Sequence, residues 1–507
     1  MSSNRSILAL GGFALVALFG IWARPLLPID ETRYLAVAWE MRLTGNWLVP
    51  HLNGLTYTEK PPLLFWIIDL IWAVFGVSEI SARLVGPAFG LASIFAAGVL
   101  ARRLWPDDTP IGGRASLVLA SLGAFVAYGG LTLFDTMLTL AVVLGVMALH
   151  GARRSPRGWL GFGCALALGT FAKGPVVLVY LIPAALSMPL WAGISMRILL
   201  PRLGLALLLG LAIVCLWLVP AMVTGGSEYR TAVLWTQSAG RVANSFAHAR
   251  PWWFYLALIP LLLWPWVWSV DLWQRLIGLP LLEDNALRLC LIWALTALLL
   301  FSLISGKQAH YLIPALPAMA ILFARAGATG ATVSAWPAAL LPMIVGGFFV
   351  ALALDFDPGG TVAAMVQPAA AVALSGLALC VAFAALRLRG VAVALLGFGL
   401  VAVLNLALRL SAAGAMYDAR SIASLIAPHD AAGIGLLGQD YAGEFTFAAR
   451  LRNPIKMFDG VQASMDWLAN TPGVAVIART DQPHPATQPL AVIQFNEHDY
   501  GIWTSDY

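Results

Sequence analysis

The stretch LGLALLLGLAIVCLWLVPA, Leu203 to Ala221, holds no charged side chain and follows directly on Arg202. A run of about 20 mostly apolar residues is long enough to cross the hydrocarbon of a bilayer. Such runs recur along the chain. Spans are expected at 7–24, 80–101, 113–131, 136–151, 158–172, 174–192, 203–221, 252–270, 287–304, 310–326, 332–354, 367–386 and 391–411. This makes thirteen, and an odd count puts the termini on opposite sides. Of 507 residues, 60% are hydrophobic and 11% charged, and the mean hydropathy is +0.83. Soluble domains carry roughly 25% charged residues, so a soluble enzyme and a disordered chain are both excluded. The net charge of +5 is spread through short loops, and no nucleic-acid partner is expected. Cys164, Cys215, Cys290 and Cys380 each lie in an apolar run without metal-ligand spacing, which argues against a disulfide framework or a zinc site. Met1 to Arg24 reads as a retained first span.

Basic residues in short loops fix the direction of the spans. One alternating set of loops holds Arg102, Arg103 and Arg114, then Arg153, Arg154 and Arg157, then Arg197 and Arg202, Arg275 and Arg288, Arg325, and Arg387 and Arg389. That set is expected to be cytoplasmic together with the N-terminus. The other set, with the tail from 412, is then expected on the opposite, periplasmic side, and the chain is expected to cross its membrane many times. Arg33, Arg42, Lys60, Arg83, Lys173, Arg230, Arg241, Arg250 and Lys307 fall on the outer side, where the charge rule disfavours them. Holding a phosphate at the outer leaflet is one reason for cations there; plain surface solvation is the other.

The first outer loop, about 25–79, contains a helical stretch at 31–44. After Pro61-Pro62 comes an apolar segment from Leu63 to Gly76 that carries Asp69. It is too short to span and fits an interfacial helix. From 412 onward charges, Pro and Gly rise. Strands are expected at 433–437 and 474–478 and helices at 416–427 and 461–469, giving a small α/β domain over 412–507 beside a transmembrane domain over 1–411.

The first outer loop reads Asp30-Glu31-Thr32-Arg33-Tyr34, then Pro50-His51-Leu52-Asn53-Gly54, then Glu59-Lys60-Pro61-Pro62. Asp30 and Glu31 suit a helix N-cap and first turn, but that does not account for Glu59-Lys60. The ordered series strongly resembles the bacterial aminoarabinose transferases of lipid A, which stand with the protein O-mannosyltransferases in the GT-C class of membrane glycosyltransferases. Leu133-Phe134-Asp135-Thr136, Ala172-Lys173-Gly174-Pro175, Gly240-Arg241, and Ser305 to Lys307 with Tyr311 to Pro314 continue the match. Every matched motif falls on the side assigned as outer from charge alone.

The resemblance implies a polytopic α-helical GT-C fold with periplasmic juxtamembrane helices. It also implies a sugar donor linked through phosphate to a polyprenyl chain, and an acceptor that is lipid A, another glycan or a protein. Cations at the departing phosphate stabilise the transition state more than the ground state. Lys60, Arg241 and Tyr311 are expected there, with Lys173, Lys307 and Arg33 as further candidates. Asp30 is the expected acceptor-side carboxylate, as general base for a hydroxyl or as an orienting group for a phosphate acceptor. Asp135 and Glu31 are further catalytic candidates, though Glu31 and Arg33 also suit a local pair. Tyr34, His51 and Glu59 are expected to bind substrate. His51 and Glu59 are also candidate ligands of a divalent metal, the plainer reading being a hydrogen-bonded pair; no other cofactor is implied. Asp440, Tyr441 and Glu444 are candidate acceptor contacts. The competing class is a polyprenyl-phosphate transporter, which tends to show paired halves and ionisable groups at mid-membrane. Neither feature is seen in this sequence.

Overall fold

The computed structural model describes residues 2–234, 249–281, 283–327, 333–356, 365–388, 392–438 and 440–505. In chain order the main helices are α1 (Ser2–Ala23), α2 (Asp30–Thr44), α3 (Leu63–Phe75), α4 (Val85–Leu104), α5 (Ile111–Ser121), α6 (Gly123–Gly129), α7 (Asp135–Ala152), α8 (Arg157–Lys173), α9 (Val177–Leu186), α10 (Met196–Thr224), α11 (Phe254–Leu262), α12 (Asn285–Leu303), α13 (Leu316–Ala326), α14 (Trp336–Ala353), α15 (Pro368–Arg387), α16 (Ala392–Leu410), α17 (Arg420–Ile426) and α18 (Val461–Asn470). The strands are β1 (His51–Leu52), β2 (Leu55–Thr56), β3 (Ile434–Leu437), β4 (Lys456–Phe458), β5 (Ala475–Arg479), β6 (Ala491–Phe495) and β7 (His498–Thr504).

Among the described residues ten helices are long and apolar enough to cross a membrane, or eleven if α5 and α6, bent by 69°, form one span. The chain is a multi-pass membrane protein, and among the described residues this count stands below the thirteen spans expected. Two causes are visible. The expected spans 158–172 and 174–192 are counted together as one helical run, Arg157–Leu186, although the chain folds back at Gly174–Val176: a side chain at Gly169 would meet Val177, and one at Gly145 of α7 would meet Leu181. The segment 252–270 breaks into α11, a turn at Trp266–Trp268 and a helix at Val270–Ile277. Pro265 falls at that break, and a proline has no N–H to continue a helical ladder.

The chain divides into two compact units. The first comprises Met1–Ile21, Glu59–Leu63 and Arg83–Ala407. Its bent α5–α6 pair is fixed by the turn around Pro265. The Gly123 amide donates to the Trp264 carbonyl at 2.9 Å, and the Trp266 indole donates to Ser121 Oγ at 3.0 Å. A side chain at Gly397 would come within 1.8 Å of the Ser121 carbonyl, so α16 crosses the bend at a distance only glycine permits.

One end of this unit gathers the basic loops. Asp108 pairs with Arg114 at 2.5 Å and with Arg325 at 3.2 Å. The Arg325 guanidinium lies over the Trp105 ring, whose indole N–H donates to Asp284. Arg103, Arg153 and Arg154 all act electrostatically on His150. Loops that alternate in sequence thus meet in space, as the charge pattern requires.

The second unit comprises Trp22–Thr58, Leu64–Ala82 and Leu408–Tyr507. It joins the tail to most of the first outer loop, where a separate domain beginning at 412 was expected. Its sheet has the order β4-β3-β5-β7-β6. β3 pairs in parallel with β4 and β5, and β7 runs antiparallel to β5 and β6. All four residues of β3 are buried, as expected for a parallel strand covered on both faces. Ile422, Ile426 and Phe445 pack with Ile434 and Leu436 of β3, while Leu468 of α18 packs with Leu437 and Val476. The β6–β7 hairpin closes through Asn496 and Glu497, both at positive φ, as a tight two-residue turn requires.

The first-loop segments bind the tail through specific contacts. The Trp39 indole donates to the Leu451 carbonyl at 2.7 Å. The Asn53 side chain donates to the Ile455 carbonyl and accepts from the Ile455 amide. Trp72 stacks on Phe447 with ring centroids 5.2 Å apart. The buried Asp69 of α3 pairs with Arg42 of α2 at 3.0 Å. The Glu40 carboxylate accepts the Asn53 and Gly54 amides at 2.5 and 3.1 Å and pins the β1–β2 turn, although burial raises its pKa. Glu40→Ala should speed hydrogen–deuterium exchange at those two amides by about tenfold, the worth of one charge-assisted bond. Unchanged protection would show that the turn holds without the carboxylate.

Candidate active site

Asp135 is the first residue of α7, where the helix dipole favours an acid, and Lys173 is the last residue of α8, where it favours a base. The two helices are antiparallel neighbours, so these ends meet. Lys173 Nζ lies 2.7 Å from Asp135 Oδ1. Asp135 is 3% exposed. An ionised pair at such depth is tolerated because each charge has its partner. Gly174 follows at φ +77°, in a conformation that turns the chain sharply away from α8.

The pair has companions within the same unit. After Lys173, the charges acting on Asp135 are His310 and then Lys60. The Lys173 ammonium lies 5.2 Å from the centre of the Tyr311 ring. His310 packs against Tyr311 at 4.9 Å and Tyr128 at 5.9 Å. The backbone of this segment is held from two sides: the Tyr180 hydroxyl donates to the Tyr311 carbonyl, and the Tyr255 hydroxyl donates to the Gln308 carbonyl. Lys60, Lys173, Asp135, His310 and Tyr311 are thereby assembled from four separate stretches of sequence. Lys60 and Lys173 both act on Asp135, and ammonium groups gathered in this way are suited to holding an anion.

Lys307 is placed differently. It is 3% exposed, and its ammonium donates to the backbone carbonyls of Arg250 and Ile304. It closes the loop after α12, next to a backbone bridge between Ala249 and Gly306. Arg241, with Gly240, lies outside the described residues.

The second unit holds the other candidates except Glu59, which falls in the first. Glu31 is 1% exposed and forms a buried ion pair with Arg24, while accepting the Leu27 amide at 3.0 Å. It ties down the turn between α1 and α2. Ile29, not Asp30, is the N-cap of α2, and no side chain caps that end. Asp30 lies in the first turn, exposed, and accepts the Tyr34 hydroxyl one turn on at 3.0 Å. Burial, and then Asp30, push the Tyr34 phenol well above its usual pKa, so it remains a donor. Arg33 acts on Glu444, whose carboxyl burial raises. Tyr441 is committed to its own turn, its hydroxyl accepting the Phe445 and Thr446 amides. His51 donates from Nδ1 to the Val49 carbonyl at 2.8 Å. His51 and Glu59 fall in different units. Among the described residues no group of three or more His, Cys, Asp or Glu side chains could hold a metal ion.

His310 was missed in the sequence. Its neighbours Lys307 and Tyr311 were read as motif residues, yet a histidine in the same short motif is also a proton-carrying, phosphate-binding type.

Residues 59–219 match the family model of dolichyl-phosphate-mannose-protein mannosyltransferases. The crystal structure of apo ArnT from Cupriavidus metallidurans superposes with a TM-score of 0.74 at 18% identity, covering 100% of this chain and 99% of that one. This chain has the ArnT-like GT-C fold. The ArnT structure bound to undecaprenyl phosphate matches equally, at a TM-score of 0.74 and 19% identity, over 99% of this chain and 98% of that one. The undecaprenyl phosphate-α-4-amino-4-deoxy-L-arabinose arabinosyl transferase of Pseudomonas aeruginosa (strain UCBPP-PA14) is 35% identical over 332 residues, 63% of this chain and 58% of that protein. Its counterpart 1 in Pseudomonas fluorescens (strain Pf0-1) is 32% identical over 345 residues, 65% of this chain and 57% of that protein. The match thus spans less than two thirds of these relatives. The resemblance read from the motifs holds in all three comparisons.

Removing one member of a buried ion pair leaves the other charge uncompensated. Lys173→Met should therefore lower stability by about 3–5 kcal/mol, read as thermal unfolding of the purified protein. Asp135→Asn combined with Lys173→Met should recover most of that loss. A double variant as unstable as the single one would show that the pair does not carry the effect.

Proposed function

We propose that this protein is a glycosyltransferase. It moves a sugar of the aminoarabinose type from a polyprenyl-phosphate donor to lipid A, at the outer leaflet of the bacterial inner membrane. The observation that carries this reading is the grouping of Lys60, Lys173, His310 and Tyr311 around Asp135, in a fold shared with a protein solved with undecaprenyl phosphate. The names of the sequence relatives support the choice of sugar and of donor; lipid A as acceptor follows from the resemblance in the motifs.

In the proposed reaction the bond between the anomeric carbon and the donor phosphate oxygen breaks. Its electron pair leaves with the polyprenyl phosphate. An acceptor oxygen forms the new bond to that carbon. Charge grows on the departing phosphate, and fixed cations lower the barrier because they are already oriented. Lys60 is the proposed main contact and Arg241 a second. Lys173, held by Asp135, and the Tyr311 hydroxyl complete the anion site. Asp30, oriented by Tyr34, is the proposed acceptor-side carboxylate. It takes a proton if the acceptor is a hydroxyl; if the acceptor is an ionised phosphate, it orients the incoming group or the sugar amine. Glu31 keeps the turn that carries Asp30 in place through Arg24.

The gathering of basic loops at one end of the first unit supports the reading of a cytoplasmic N-terminus and, with it, of an anion site on the periplasmic side. A periplasmic tail belongs to the same proposed orientation. A reporter fused after Tyr507 should be active only outside the cytoplasm; a cytoplasmic signal would reverse the orientation.

Mass spectrometry of lipid A from cells with and without the gene tests the reaction. The expected product is a pentosamine adduct on lipid A that disappears with the gene. Asp30→Asn and Lys60→Ala should each lower the adduct by at least about 100-fold, the usual scale for a group acting in the transition state. Lipid A of unchanged mass, with the mass change found on another glycan or on protein, would move the acceptor and keep the class. An unaltered adduct in both variants would remove the proposed site.

A further inference from the structure

A groove of about 460 Å³ opens between α7 and α8 at the end of the first unit opposite the Asp135–Lys173 pair. It is formed by the last turns of α7 and the first turns of α8. At 1.5 Å per residue, the distance along α7 from Asp135 to Gly151 is roughly 24 Å, so the groove belongs to the other side of the membrane. Met147, Leu168 and the exposed Cys164 give it apolar walls, and all three lie on membrane-spanning helices. Gly161 supplies part of its floor; a methyl group there would meet only the Ala148 methyl, at 3.3 Å. Arg103 and Arg157 are exposed at its mouth. Among the described residues neither guanidinium has a carboxylate partner within salt-bridge distance. Arg153 and Arg154 lie in the adjoining loop, and Asp108, the acid four residues beyond α4, is already held by two arginines.

An apolar channel facing lipid, with two unneutralised guanidinium groups at the headgroup level, is complementary to an amphiphile with an anionic head. A soluble anion would satisfy the arginines and leave the apolar length unfilled. We propose that this groove binds an anionic glycerophospholipid of the leaflet that faces the basic loops, with its phosphate on Arg103 and Arg157 and one acyl chain lying along Met147 and Leu168. The site is distinct from the donor site and serves to seat the α7–α8 hairpin in the bilayer.

Native mass spectrometry of the full chain in detergent tests this, with phosphatidylglycerol and phosphatidylcholine of identical acyl chains as probes. Phosphatidylglycerol should be retained roughly thirtyfold better, the expected worth of two basic residues at a membrane surface. The double variant R103Q/R157Q should lose that preference, and G161L, which fills the groove, should retain less of both lipids. In the unmodified protein, phosphatidylglycerol should slow alkylation of Cys164 relative to the exposed Cys380, a readout that needs no variant. Equal retention of the two lipids, equal alkylation of the two cysteines, or complete displacement of the lipid by millimolar inorganic phosphate would each overturn the proposal.

Discussion

The ion pair between Asp135 and Lys173 is the constraint around which the first unit is arranged. A carboxylate at the start of one membrane helix and an ammonium at the end of the next are each costly alone. Together they hold α7 and α8 antiparallel, with ends in register, and leave one ammonium edge directed at Tyr311. His310 and Lys60 add further basic side chains that act on Asp135. Such a cluster persists in a sparingly hydrated site only if its backbone is fixed. The hydroxyls of Tyr180 and Tyr255, donated to the carbonyls of Tyr311 and Gln308, do that. The site is thus preorganised by buried tyrosines, of which Tyr180 lies outside the matched motifs.

Much of this was legible in the sequence because membrane proteins write their solvent directly into composition. Asp135, Lys173 and Lys60 stood out as charges at the ends of apolar runs on the side where such charges are disfavoured. The tail's strands at 434–437 and 475–479 were visible as short apolar runs between turn residues. What was lost is equally specific. Hydropathy records how apolar a window is but not whether it bends, so 252–270 counted as a span although it breaks near Pro265. The division of labour between Asp30 and Glu31 was equally hidden. Both are acids in one turn; only the fold turns Glu31 inward onto Arg24 and leaves Asp30 outward with Tyr34. The burial of Lys307, whose ammonium donates to two backbone carbonyls, was likewise not visible in its motif.

The second unit explains why the first outer loop carries so many aromatic and amide side chains. Trp39, Asn53 and Trp72 do not point into a reaction site; they bind the tail. The loop and the tail, separated by over three hundred residues, share one hydrophobic and hydrogen-bonded body. A sequence read from left to right assigns them to different domains because nothing local marks the partnership.

Asp108 is shared by an arginine six residues ahead and another 217 residues away. A ribosome delivers the N-terminal part of a chain first. Arg114 therefore reaches Asp108 while most of the bundle is still unmade, and Arg325 arrives only after α12 and α13 have been inserted. The knot at that end is a latch that closes late in biogenesis. Until then the early hairpins are kept neutral at Asp108 by a provisional partner.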